Sequence, residues 1–222
     1  MTLTLTLVRH GQTYLNARRL LQGWSDSPLT RTGRAGVRTT AAHLADQTFT
    51  GAYCSPSGRA VATATEIVRH HDDLRLRTDK DLRELHFGAY ERRPEHELDA
   101  LAPWHELVPS MLDGTHPGLP GGESGHDYMT RLQAAFDRIV EAHPTGHVLV
   151  VGHGLTLGAW LATVDPALGL VALPNASVST VRVDDDGGRQ VLTAGTDVAA
   201  QGFGSARSVP TPARTAVPVP AA

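Results

Sequence analysis

The chain has 222 residues, 41% of them hydrophobic and 19% charged, with a net charge of −3 and a pI of about 6.4, the make-up of a folded globular protein rather than a disordered one. There is no global basic field, so nucleic acid and acidic membranes are poor candidate partners, and an anion site has to be a local cluster of arginines. The one cysteine, Cys54, excludes an internal disulfide and points to a reducing cytoplasm; no signal peptide is evident, and no apolar run reaches membrane-spanning length.

Residues 2–8 read as a strand, with Leu3, Leu5 and Leu7 alternating against Thr4 and Thr6. Arg9, His10 and Gly11 follow at once, which places a cation and an imidazole at a strand's carboxyl end, with a glycine that lets the backbone turn and a ligand come close. Residues 12–24 are polar and mixed, and the turn-forming 26–30 starts a helix over 30–44 with Ala35, Val37, Ala41 and Leu44 near one face. A short strand over 50–54 leads through Ser55-Pro56-Ser57-Gly58 to Arg59 and a helix over 59–70 on the 3.6 period. Residues 74–77 make a short strand, and 81–122 are irregular, read as loops and short helices of a lid inserted at about 85–123. A helix over 124–143 precedes the continuous apolar run 147–152, a buried parallel strand. It repeats the opening plan: strand, then His153-Gly154, then a helix over 155–163. Strands at 178–183 and 189–193 flank Asp184-Asp185-Asp186-Gly187-Gly188 as a hairpin, either a free sheet edge or a homodimer contact. From 202 onward alanine and proline dominate, the composition of a disordered tail, which leaves one domain over 1–201.

Strands joined by helices make an α/β fold, a three-layer sandwich around a mostly parallel sheet, whose strand ends share one edge where ligands bind. Arg9, His10, Arg59 and His153 are therefore expected to converge. A neutral His10 can attack phosphorus and become a phosphohistidine. Phosphoryl transfer needs positioning and cations above all, and Arg9 and Arg59 supply bidentate forks, with His153 a third donor if protonated. Gln12 and Asn16 can add neutral hydrogen bonds. One carboxyl can protonate the leaving alkoxide and later deprotonate water; Glu84, before Phe87-Gly88, is the candidate. Such a site requires no metal or other cofactor, and His70-His71 and His126-Asp127 lack convincing ligand spacing.

Leu7-Val8-Arg9-His10-Gly11-Gln12-Thr13-Tyr14-Leu15-Asn16 resembles the opening motif of the histidine phosphatase superfamily, the phosphoglycerate mutase-like family. Gln22-Gly23-Trp24-Ser25-Asp26-Ser27-Pro28-Leu29-Thr30 resembles its next segment. Ser55 to Arg59, Leu82-Arg83-Glu84-Leu85-His86-Phe87-Gly88, Gly121-Gly122-Glu123-Ser124 and Val151-Gly152-His153-Gly154 complete the ordered set over about residues 3–160. The resemblance implies the phosphoglycerate mutase-like α/β fold, a phosphohistidine at His10, phosphate-pocket roles for Arg9, Arg59 and His153, and acid/base work by Glu84. Gly11, Gln12, Asn16, Gln22 and Gly23 are the further candidate substrate contacts. In the family's cofactor-dependent mutases an asparagine follows the second His-Gly, where this chain has Leu155. Their paired lid arginines have no counterpart here unless Arg92 and Arg93 serve. A phosphatase acting on a small phosphorylated metabolite, a phosphoric monoester hydrolase, is therefore favoured over a phosphoglycerate mutase. A non-catalytic module that binds a phosphorylated ligand ranks last, because the Arg-His-Arg-Glu-His set is complete.

Overall fold

The computed structural model describes residues 2–102 and 104–200, so the expected tail from 202 lies outside the described residues. Strands β1 (Leu3–Arg9), β2 (Gly51–Cys54), β3 (Leu76–Thr78) and β4 (Gly146–Gly152) run parallel. β5 (Val178–Val183) is antiparallel to β1, and β6 (Arg189–Thr196) to β5, giving the order β3-β2-β4-β1-β5-β6. The sheet is mixed but mostly parallel, as expected. The pairing of β1 with β4 runs in register to Arg9 opposite Gly152. His10 and His153 therefore leave the sheet side by side at its carboxyl edge.

The short helix α1 (Tyr14–Ala17) follows β1, closed by a capping box in which Thr13 and Asn16 exchange hydrogen bonds; the sequence reading treats this segment only as polar and mixed. α2 (Arg31–Leu44), whose first turn is capped by Thr30 Oγ1 accepting from Gly33 N–H at 2.8 Å, and α3 (Gly58–Val68) cover one face of the sheet. α4 (Trp104–Leu112), α5 (Gly125–Ala142) and α6 (Gly154–Val164) cover the other. β4 is buried on both faces: Val148 and Val150 join Phe136 and Trp160, while Leu149 and Val151 join Ala60 and Ile67. The continuous apolar run follows from that double burial. Between β3 and α5 the chain makes 3₁₀ turns at Lys80–Leu82, Gly88–Tyr90 and Glu95–Ala100 and then α4. The strand expected at 74–77 starts two residues later, because Asp73 turns the chain with φ 66°.

The end of β1 lies unusually close to α2. A Cβ on Gly11 would stand 2.5 Å from Val37 Cγ2, and one on Gly33 would stand 2.1 Å from the Gln12 carbonyl oxygen. Gly33→Ala adds helix propensity of about 1 kcal/mol but pushes α2 off the segment that carries His10. We expect a net loss of about 1–3 kcal/mol in urea unfolding; a more stable variant would show that the contact relaxes freely.

Candidate active site

His10 is held by its backbone first. Its N–H donates to the Gly152 carbonyl at 3.0 Å, and its carbonyl accepts from Ala176 N–H and, at 3.1 Å, from Asn175 Nδ2. The side chain is buried, with Nδ1 2.8 Å from the Gly11 carbonyl oxygen. A carbonyl only accepts, so Nδ1 carries the proton and Nε2 keeps its lone pair. Burial, then the charges of Arg59 and Arg9, push the imidazole well below its usual pKa of 6.5. The result is a neutral ring presenting one nucleophilic nitrogen.

Arg59, the second residue of α3, is 1% exposed, and its whole fork is engaged. Nε donates to His10 Nε2 at 3.3 Å, one terminal nitrogen to Ser25 O and Asp26 Oδ1 at 3.0 Å each, and the other to Gly23 O at 2.8 Å and Gln22 O at 3.4 Å. A cation near a helix N-terminus is unfavourable, and these acceptors offset it. Loop 22–25 is gripped from behind by half-buried Glu91, whose carboxylate accepts from the N–H groups of Gly23, Trp24, Ser25 and Phe87 at 2.9–3.2 Å. Burial raises the Glu91 pKa, but the hydrogen bonds from Ser25, Trp24 and Phe87 outweigh it and hold the carboxyl below its usual value.

Arg9 donates to the Leu173 carbonyl, and burial lowers its pKa to about 10, so it stays charged at neutral pH. His153 is fully buried. Its ring centroid lies 5.3 Å from that of His10, its Nε2 is 2.8 Å from Ser55 Oγ, and its Nδ1 has no hydrogen-bond partner among the described residues. Burial and then the Arg59 charge hold it well below pKa 6.5. The ring is held neutral, where the sequence reading allows for a protonated donor.

Glu84 sits at the N-terminus of α6. Its Oε1 accepts from Leu85 N–H, Thr156 N–H, Thr156 Oγ1 and Tyr128 Oη at 2.8–3.4 Å, while Oε2 accepts from Leu155 N–H at 3.0 Å. A cavity of about 140 Å³ is lined by Arg9, His10 and Glu84 together, with Asn16 and Gln22 at its side. A nucleophile, a cation and a carboxyl facing one cavity are the components of group transfer to an imidazole.

The family model for the histidine phosphatase superfamily (branch 1) matches residues 5–195. The chain belongs to the histidine phosphatase superfamily. It is 38% identical over 184 residues to the probable phosphoglycerate mutase GpmB of Yersinia enterocolitica, covering 79% of this chain and 82% of that one. Among solved structures it is similar to a phosphoglycerate mutase from Bacillus anthracis, at TM-score 0.82 and 31% identity over 89% of this chain and 95% of that one. It is also similar to a mycobacterial glucosyl-3-phosphoglycerate phosphatase, at TM-score 0.74 and 25% identity over 88% of this chain and all, 100%, of that one.

In this member of the superfamily, Arg59 and His153 contact or neighbour His10 but do not line the cavity that holds Arg9, His10 and Glu84. Three of the candidate substrate contacts serve the scaffold. Gly11 packs on α2, Gln12 Oε1 accepts from the Thr30 hydroxyl at 2.9 Å, and a Cβ on Gly23 would lie 2.1 Å from Leu85 O. Asn16 reaches the cavity, but its Oδ1 is committed to Thr13 N–H at 3.1 Å. The sequence reading gives no individual role to Asn175, Ser55, Thr156, Tyr128 or Glu91. Glu91 falls seven residues after Glu84 in the acid segment, a spacing that was its one available signal.

Two outcomes are expected. Glu91→Ala strips four amides of their acceptor, so hydrogen exchange at Gly23, Trp24 and Ser25 should quicken about tenfold or more; unchanged protection would show that the loop stands without the carboxylate. The unfolded chain protonates His10 and His153 below about pH 6.5 and the native chain does not, so the unfolded state binds more protons and stability falls as pH falls. Each histidine contributes up to about 1.4 kcal/mol per pH unit. Urea unfolding from pH 7 to 5 should give a shallower slope for His153→Asn than for wild type; equal slopes would contradict the buried neutral ring.

Proposed function

We propose that this histidine phosphatase is a metal-independent phosphomonoesterase acting through a phosphohistidine at His10, with Glu84 as general acid and base. The observation that carries the reading is the fixed tautomer of His10, a neutral imidazole that lines a cavity together with Arg9 and the Glu84 carboxyl and whose Nε2 keeps a lone pair, held in the empty site by Arg59 Nε–H. Nε2 attacks phosphorus as the bond to the ester oxygen breaks, and protonated Glu84 gives its proton to the departing alkoxide. Water then attacks the phosphohistidine, Glu84 takes its proton, and the N–P bond breaks to release phosphate. Oε2, with one donor against the four on Oε1, retains the lone pair for this proton. Once Nε2 is bonded to phosphorus it no longer accepts from Arg59, whose Nε–H turns to a phosphoryl oxygen. The unpartnered Nδ1 of His153 supplies a second donor and Arg9 the cation.

The Yersinia and Bacillus relatives carry mutase names and the mycobacterial structure a phosphatase name, which keeps a cofactor-dependent mutase as the second reading. Among the described residues no three His, Cys, Asp or Glu side chains are grouped to hold a metal, and no helix is long and apolar enough to cross a membrane. The buried Cys54, its thiol pushed up to about pKa 12 by desolvation, suits a cytoplasmic protein.

In the presence of a chelator, wild type should release phosphate from small phosphomonoesters, His10→Ala should lose at least about 10³-fold in kcat, and Glu84→Gln about 10²–10⁴-fold. Quenching turning-over enzyme in alkaline denaturant, where the N–P bond of a phosphohistidine survives, should trap phosphate on His10. Interconversion of 3- and 2-phosphoglycerate on addition of a bisphosphate, with no net phosphate release, would establish the mutase instead.

A further inference from the structure

The irregular segment between β3 and α5 leaves directly after Glu84 and comes back at Glu123. Its two arms meet at a neck, where Glu123 N–H donates to the His86 carbonyl at 3.1 Å and Ala89 N–H to the Pro120 carbonyl at 2.8 Å. Arg131, on α5, closes that neck. Its Nε and one terminal nitrogen donate to the two carboxylate oxygens of Glu123 at 2.5 and 2.7 Å. The same terminal nitrogen donates to Glu84 O at 3.0 Å, and the other donates to Asp81 O and Arg83 O at 2.8 Å each. All five N–H groups of the fork are thereby used. The Arg131 and Glu123 side chains are 14% and 11% exposed, so water offers the guanidinium little alternative. The guanidinium also lies 5.0 Å from the Tyr128 ring, whose hydroxyl is 3.4 Å from Glu84 Oε1.

We propose that Arg131, locked by Glu123, is a positioning residue for Glu84, fixing the main chain of the acid against α5 so that its carboxyl meets the first turn of α6. The proposal rests on the acid and base role read for Glu84 and extends it to the residues that aim it. Glu84 follows the 3₁₀ turn Lys80–Leu82 and precedes irregular chain, so no strand ladder or helix holds its carbonyl. Arg131 and Trp24, whose Nε1 donates to Glu84 O at 3.0 Å, supply that hold from outside the segment. Proton transfer tolerates little displacement, and about 1 Å of misplacement costs about 10²-fold. A planar fork can meet a carboxylate and three carbonyls at once, whereas the point charge of a lysine cannot.

The test measures kcat/KM for butyl phosphate and 4-nitrophenyl phosphate, in chelator, for wild type, Glu84→Gln, Arg131→Lys and Glu123→Gln. This parameter reports the transfer to His10, where Glu84 acts as acid. A butoxide must be protonated as it leaves and 4-nitrophenolate need not be, so a misplaced acid harms the first substrate alone. Arg131→Lys keeps the charge and loses the fork, and should lose at least about tenfold on butyl phosphate and less than about threefold on 4-nitrophenyl phosphate. Glu123→Gln loosens the fork without leaving the three carbonyls unmet, and should show the same selectivity if Arg131→Lys does not fold. Equal losses on both substrates, or none on either, overturn the positioning role and leave the phosphatase standing. Hydrogen exchange supplies a reading independent of turnover. In Arg131→Lys the Leu155 and Thr156 amides, which donate to the Glu84 carboxylate, should exchange about tenfold faster. The Leu157 amide, held by the His153 carbonyl at 3.0 Å, should not change. If wild type releases no phosphate, or Glu84→Gln shows no selectivity, the role read for Glu84 falls and exchange alone decides: selective quickening upholds the hold of Arg131 on the carboxyl, and unchanged protection overturns it.

Discussion

The buried guanidinium of Arg59 is the constraint that shapes the site. An arginine cannot shed its charge on burial, so its five N–H groups have to be met inside the protein. One is met by His10 Nε2, one by Asp26 Oδ1, and three by the carbonyls of Gln22, Gly23 and Ser25. Three carbonyls turned inward within four residues leave the neighbouring amides turned outward. Those of Gly23, Trp24 and Ser25 then need an acceptor of their own, and the Glu91 carboxylate is that acceptor. Arginine, loop and glutamate form one layered structure: removing the outer layer loosens the inner one, and the inner one touches the nucleophile.

The same charge explains why both histidines are neutral. Two imidazoles 5.3 Å apart, buried beside Arg59 and Arg9, gain nothing from a further proton. Neutrality serves His10 as a nucleophile, since a protonated ring has no lone pair to give. It is obtained from burial and neighbouring cations rather than from a carboxylate partner, which leaves the Glu84 carboxyl to the proton transfer proposed for it.

Much of this was legible in the chain because the strand ends are written into it. Leu7-Val8-Arg9-His10 and Val150-Val151-Gly152-His153 each stop an apolar run at a histidine, and the parallel register of β1 with β4 sets the two stops side by side. Arg59 was legible as a cation three residues past a strand-ending Ser-Pro turn. Glu84 was not, without the family resemblance, because its position depends on how the irregular 79–124 segment returns across the sheet to α6. Glu91 and the loop amides it holds are separated by up to 68 residues, and a Glu-Arg-Arg run has the look of solvated surface. Gly11 and Gln12 are candidate substrate contacts in the sequence, and the turn after β1 packs Gly11 on α2 and commits Gln12 Oε1 to Thr30. The shared edge could be read from the strands; which side of a turn meets the ligand depends on packing that only the fold supplies.

The first turn of α6 holds a carboxylate where an anionic ligand could otherwise bind. A helix N-terminus after a strand is the usual berth for a phosphate, and the sequence offers one directly after His153. Here the Leu155 and Thr156 amides are committed to Glu84. In the proposed reaction the phosphoryl group is thereby left to the side-chain cations, Arg9 and Arg59, and to His153. Were both anions to share the helix terminus they would compete for the same amides, and committing those amides to the carboxylate removes that competition.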